Sequence, residues 1–235
     1  MLARKLARIG RLDDADQEHI RALPLAIRAV AADRDLVAEG ARGGDCVMVL
    51  EGIACRQRVL SNGGRQILSF HILGDILDLQ MIHLGIMDHS LAAVTAGRIG
   101  VIPRSALQDL IRRRPAVADA LWRDTLIEAA VTREWLTSVG RRSAYQRIAH
   151  LLCELFVRFG TVGLAEPGGY DLPLTQSQIG DALGLTAVHV NRVLQELRKH
   201  AIIASQGRFL QILDWRALQR AGDFDPAYLH DPPRP

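Results

Sequence analysis

Apolar positions along this chain change their spacing several times, and each change predicts a different element. Over residues 13–30, Ile20, Leu23, Ile27 and Val30 recur at helical intervals, which predicts a short amphipathic helix. From Leu36 to Ile102 the texture turns to short alternating or β-branched runs: CVMVLEG, ACRQRVL, RQILSFHI, SLAAVTA and RIGVIP. Turn signals separate them at Arg42-Gly43-Gly44-Asp45, Glu51-Gly52, Ser61-Asn62-Gly63-Gly64 and Leu73-Gly74-Asp75. Strands that recur every ~8–12 residues with turns between them predict an antiparallel sandwich or roll. Asn62-Gly63 is the clearest hairpin signal, because both residues tolerate positive φ.

Pro103 then opens a long helical stretch, broken at Pro115, that runs to about Val139 without internal Pro or Gly. Ala118, Trp122, Leu126, Ala129, Leu136 and Gly140 recur at steps of 4, 4, 3, 7 and 4, with Arg133 at the missing position of a near-heptad seam. Such a seam fits a helix that pairs with its twin in a homodimer, or one packed on its own sheet. After Gly140-Arg141-Arg142 a further helix carries an apolar stripe at Ile148, Leu151, Leu152, Leu155 and Phe156, with Cys153 beside it as a small packed thiol. A Gly/Pro-rich connection, GTVGLAEPGGYDLP, follows.

The segment after it carries the chemistry. Thr175 is a good N-cap and Gln178 stands three residues on, as a capping box requires. That helix ends at Gly184, and Thr186 caps a second helix from Ala187 to about His200, with Val190, Val193, Leu194 and Leu197 on one face. Two short helices across Gly-Leu-Thr match a helix-turn-helix, whose second helix enters the DNA major groove. Its outward face carries Val188, His189, Asn191, Arg192 and Gln195. The Arg192 fork suits both acceptors of a guanine edge, Asn191 and Gln195 suit adenine, and Val188 suits a thymine methyl. Thr175, Gln176, Ser177, Thr186 and His189 stand near helix N-termini, where hydroxyl, amide and backbone N–H groups meet phosphates. Residues 202–213 read as a tight β-hairpin wing, with Arg208 at its tip placed for a phosphate.

Composition sharpens this picture. The 235 residues are 49% hydrophobic and 23% charged, the balance of a globular chain. Residues 1–140 are nearly neutral at +1, whereas residues 141–220 hold 10 Lys+Arg against 6 Asp+Glu, ahead of a short acidic, Pro-rich tail. The positive excess thus coincides with the helix-turn-helix, which fits a polyanion partner or a solvated surface that happens to be basic. Three scattered cysteines, Cys46, Cys55 and Cys153, offer neither a disulfide framework nor a CxxC pair, and point to a reducing cytoplasm. No apolar run reaches membrane-spanning length and no secretory signal is visible, so a membrane partner is not expected.

The segment LTQSQIGDALGLTAVHVNRVLQELRKHAIIASQGRFLQI resembles the winged helix-turn-helix of the Crp/Fnr transcription regulators. The order upstream is similar too: GGRQILSFHILGDILDL resembles their cyclic-nucleotide-binding β-roll, followed by a long helix. The resemblance spans about residues 12–215. It implies an α+β chain: an N-terminal antiparallel β-roll of the cyclic-nucleotide-binding, jelly-roll kind over 1–112, a dimerisation helix over 113–140, a Crp-type winged helix-turn-helix over 141–220, and the tail over 221–235. It implies a homodimer on a two-fold site in double-stranded DNA, an effector in the roll, and RNA polymerase as a further partner. The alternative is a small-molecule-binding module with vestigial DNA binding.

Departures from the family pattern bear on the effector. Members that bind cyclic AMP carry Gly-Glu-Leu and then Arg-Ser in the roll; here those places hold Leu77-Asp78-Leu79 and His89-Ser90. The adenine-touching Thr-Ser pair falls at Thr132-Arg133. Asp78, His89, Ser90, Thr132 and Arg133 are therefore the candidate effector residues, and the lost glycine and arginine argue against cyclic AMP. The absence of any cysteine before Cys46 argues against an iron–sulfur cluster. In the reading helix the Arg-Glu pair of the cyclic-AMP type falls at Ala187-Val188, while the later arginine is kept as Arg192. His71, His83 and His89, with Asp78 and Asp88, match no metal-ligand spacing and read as surface or packed side chains. No nucleophile elbow, P-loop or GxGxxG is present, so an enzyme is not expected and no cofactor is identified.

Overall fold

In the computed structural model of the protein, residues 1–230 are described; the DPPRP of the tail, residues 231–235, lies outside the described residues. The elements run α1 (Leu2–Ile9), α2 (Asp14–Arg21), β1 (Ala26–Val30), β2 (Arg34–Val37), β3 (Cys46–Glu51), β4 (Ala54–Val59), β5 (Arg65–His71), α3 (Met81–Leu84), β6 (Ser90–Ala93) and β7 (Gly97–Ile102). Helices α4 (Arg104–Arg113), α5 (Pro115–Arg141) and α6 (Ala144–Val162) follow. The chain closes with β8 (Ala165–Glu166), β9 (Gly169–Asp171), α7 (Gln176–Leu183), α8 (Ala187–Lys199), β10 (Ile203–Gln206), β11 (Phe209–Ile212), α9 (Trp215–Gly222) and a 3-10 turn at Pro226–Leu229. It divides into two compact units: Met1–Val131, together with the described residues from Leu229 on, and Thr132–Tyr228, the first boundary falling within α5.

The N-terminal unit is the expected roll: antiparallel sheets ordered β1-β7-β3 and β2-β6-β4-β5. Strand β3 shows why its sequence, CVMVLE, lacks alternation. Cys46, Met48 and Leu50 enter one core with Leu6, Ile102, Leu107 and Leu121, while Val47 and Val49 enter another with Leu77, Leu91 and Ile99. Successive side chains point to opposite faces, and here both faces are buried. The hairpin between β4 and β5 turns at Asn62-Gly63, but only Gly63 takes positive φ, at 82°. Asn62 instead accepts from the Gly64 N–H at 2.9 Å, an Asx turn.

The helix expected over 13–30 ends with α2 at Arg21, and Ala26–Val30 is a strand paired antiparallel with β7. Pro24 cannot continue the helix, and the β-branched Ile27 and Val30 suit a sheet, so a spacing of 3 between apolar residues was not helical there. The helix start itself is well specified: Asp13 and Asp16 form a reciprocal capping box.

The C-terminal unit packs Ile148, Leu151, Leu152 and Leu155 of α6 with Ile179 and Leu183 of α7 and Val190, Val193, Leu194 and Leu197 of α8, all buried. The wing hairpin is extended to a four-stranded sheet, β10-β11-β9-β8, by strands formed within the Gly/Pro-rich connection. Gly222, Phe224 and Tyr228 pack against α6. Gly222 lies so close to the α6 backbone at His150 that a side chain has no room. The Tyr228 hydroxyl donates to Glu154 at 2.8 Å.

Candidate nucleic-acid interface

The helix-turn-helix is built as the sequence expects. Thr175 Oγ1 accepts from Gln178 N–H at 3.2 Å, and Gln178 Oε1 accepts from Thr175 N–H at 2.9 Å. Thr186 Oγ1 caps α8 by accepting from His189 N–H at 3.2 Å. Gly184 closes α7 in the left-handed region at φ 66°, where a side chain is strained.

Two residues outside the expected set hold this turn. The Leu185 N–H donates to the Gly180 carbonyl at 3.0 Å, and a methyl on Gly180 would run into the Leu185 carbonyl. Arg147 of α6 donates from Nη1 to the Leu183 carbonyl at 3.0 Å and from Nε to the Arg142 carbonyl at 2.9 Å. It thereby meets an orphan acceptor at the α7 C-terminus, where a cation is favoured. The signal for Gly180 was a glycine inside a helical pattern; Arg147 left none, because its partners are backbone atoms.

With one face of α8 buried, the other is outward. Val188 is 71% exposed, Arg192 and Gln195 are exposed, and His189 and Asn191 are half-buried. Asn191 Nδ2 donates to Gln176 Oε1 at 3.2 Å, which fixes two of the candidate contacts against each other. Thr175, Ser177 and Thr186 are exposed and Gln176 is half-buried. Arg208 is exposed at the wing turn, its carbonyl pinned by Leu172 N–H at 2.9 Å. Arg198 Nε near the end of α8 reaches Ser205 Oγ on the wing at 3.4 Å. The arrangement presents hydroxyls, amides and a guanidinium along a helix start, with a second guanidinium on a hairpin. That is the chemistry of groove edges flanked by phosphates.

The candidate effector residues are divided between the units. In the roll, buried Asp78 accepts from Val47 N–H at 2.8 Å, and burial pushes its carboxyl up to about 6. His89 Nδ1 lies 2.8 Å from Asp88. Burial, then the Arg56 charge, hold His89 below the ordinary histidine value. Ser90 Oγ accepts from Glu39 N–H at 3.0 Å. Thr132 and Arg133 are exposed on α5, in the other unit. His71 is buried beside Asp75 and Glu128, and His83 is exposed. Among the described residues no three His, Cys, Asp or Glu side chains gather as a metal site. All three cysteines are buried, and burial pushes Cys46 and Cys55 up to about 12, so these are unreactive packed thiols. Burial likewise raises Cys153.

Comparison with known proteins agrees with this geometry. Residues 27–114 match the cyclic nucleotide-binding domain, and residues 146–221 match the Crp-like helix-turn-helix domain. The chain is 29% identical to the transcriptional activator protein FnrL of Cereibacter sphaeroides over 83% of this chain and 80% of that protein. It is also 29% identical to the nitrogen fixation regulation protein FixK of Rhizobium meliloti, over 86% and 92%. The structure of FixK2 from Bradyrhizobium japonicum superposes with a TM-score of 0.78 at 27% identity, covering 85% of this chain and 98% of that one.

Proposed function

The chain belongs to the Crp/Fnr family of transcription regulators, and from that premise we propose that it binds a two-fold DNA site as a homodimer, each α8 lying in one of two successive major grooves about 34 Å apart. The single observation that carries this reading is the outward face of α8, where Val188 and Arg192 are exposed and Asn191 is half-buried beside Gln176, opposite a buried face. Backbone contacts from Thr175, Gln176, Ser177, Thr186, His189 and Arg208 supply affinity; Val188, Asn191, Arg192 and Gln195 supply sequence choice. Dimerisation through α5 is supported by the exposure of its seam, with Trp122 at 63% and Leu136 at 73%. RNA polymerase is the further partner. No described helix is long and apolar enough to cross a membrane. The proposed place of action is the cytoplasm, where a DNA-binding regulator meets its site.

Two substitutions test the reading against each other, on a site selected from random DNA. Arg192→Ala is expected to weaken the selected site by about 1–3 kcal/mol and to relax preference at one base pair. Arg208→Ala is expected to weaken all sequences alike and to reduce the salt slope by about 1. Equal losses for Arg192→Ala on selected and random DNA refute its role as a base reader.

A further inference from the structure

Beyond the apolar Val117, Ala120 and Leu121, which enter the core of the roll, the same helix α5 carries carboxylates toward it. Asp124 and Glu128 stand one turn apart on it. Asp124 meets Lys5 of α1 at 2.7 Å, and the same ammonium reaches Asp75, after β5, at 2.8 Å. Glu128 Oε2 meets Nη1 of Arg56, from β4, at 3.0 Å, while its Oε1 lies 3.7 Å from Nδ1 of His71. Arg56 fixes its fork with a second bond, Nε donating to the Leu77 carbonyl at 2.9 Å. The pair is largely out of water, with 15% of the Arg56 and 26% of the Glu128 side chain exposed. A guanidinium held this way is pre-oriented for a carboxylate, and leaving it unmatched there is costly. Its charge also reaches Asp78 and His89, so it sits among the roll residues singled out for an effector.

We propose that Glu128 is a tethered ligand: Arg56 forms a carboxylate site inside the roll, the long helix supplies its occupant, and this built-in occupant sustains DNA binding without a small-molecule effector. The inference rests on the DNA-binding reading above. The link to the reading head is covalent, since Glu128 lies on the helix that runs on to Arg141. A structural ion pair alone would affect melting; a tethered ligand also affects DNA affinity and leaves a site that a free carboxylate can refill.

Glu128→Ala removes the elements of acetate, so acetate is the probe. Two readouts are taken at constant ionic strength, with chloride as the control salt: the melting temperature, and affinity for the selected DNA by fluorescence anisotropy. The parent is expected to bind DNA after exhaustive dialysis. Glu128→Ala is expected to lose at least about tenfold in affinity, the scale of a typical coupling between sites. Acetate should restore most of that loss and raise the melting temperature. Arg56→Ala should lose DNA affinity too, with no response to acetate. The proposal is overturned if Glu128→Ala binds DNA as the parent does, or if acetate acts equally on both variants. If Glu128→Ala does not fold, Glu128→Gln replaces it, and unchanged affinity in that variant overturns the proposal. A parent that binds no DNA would count against the function proposed above, and the melting response to acetate would still decide whether the Arg56 site exists.

Discussion

The Trp135 indole N–H donates to the Glu154 carboxylate at 3.0 Å, joining the last turns of α5 to the middle of α6. Glu154 is fully buried and also accepts from the Tyr228 hydroxyl at 2.8 Å and from Arg158 at 3.2 Å. A buried carboxylate is tolerable only when its lone pairs are met, and each donor here comes from a different part of the unit. Trp135→Phe keeps an aromatic side chain, smaller than the indole, and deletes one donor. It is expected to destabilise the protein by about 1–3 kcal/mol, read as a lower urea midpoint with the slope unchanged.

Gly180 sets how closely α7 approaches the turn that follows it. Gly180→Ala pushes a methyl into the Leu185 carbonyl, which is backbone and cannot rotate away. We expect a loss of roughly 1–3 kcal/mol in stability, typical of overpacking. DNA affinity should fall further than stability alone accounts for, because Thr186 and the start of α8 follow immediately. A melting curve and a binding titration on the same sample separate the two effects.

Leu136 is 73% exposed on α5 and makes little of the monomer's own core. Leu136→Glu should therefore leave the fold within about 0.5 kcal/mol of the parent. It should place two carboxylates in the paired seam and shift the protein to monomers in sedimentation velocity, with loss of binding to a two-fold site. An unchanged dimer would remove α5 as the interface.

Asp78 gives the roll a pH signature. Its carboxyl titrates near the ordinary 3.8 when unfolded and near 6 when folded, so the native state holds the proton more tightly. Its contribution favours folding fully below about pH 4 and is lost as pH rises through about 6. Asp78→Asn keeps an oxygen for the Val47 N–H and removes the charge. The variant should flatten the stability curve between about pH 4 and 6 and gain up to about 3 kcal/mol at pH 7. Denaturant midpoints across that range, compared with the parent, check both parts.

The parts legible in the sequence were those decided locally. Thr175 with Gln178, Gly184 and Thr186 mark their helix ends through contacts within four residues, and the structure repeats them. The glycine-punctuated runs from Cys46 to Ile102 are the strands β3 to β7. What escaped depends on distant partners. Lys5 opens no motif, yet it bridges Asp75 and Asp124 across 119 residues of chain. β1 escaped because Ile27 and Val30 fit a helical spacing, and their pairing with β7 is set by residues about 70 positions away. Arg56 and Glu128 belong to no motif in the sequence. Only the register of β4 and the placing of α5 bring them together. Within the interface the Asn191–Gln176 contact escaped for the same reason, though both residues were identified.

The close approach of Gly222 to α6 and the bond from Tyr228 to Glu154 make the end of the described chain a strap for the reading head. A head trimmed at residue 220 would lose the Gly222 carbonyl that meets His150, the Tyr228 hydroxyl that meets Glu154, and the Phe224 and Tyr228 rings beside His150. The anion would then lie beneath a gap open to water, and the packing that holds α6 under the reading helix would loosen from below. The shortest autonomous DNA-binding fragment of this regulator must therefore extend through Tyr228, although every group proposed to touch DNA has been passed by Arg208.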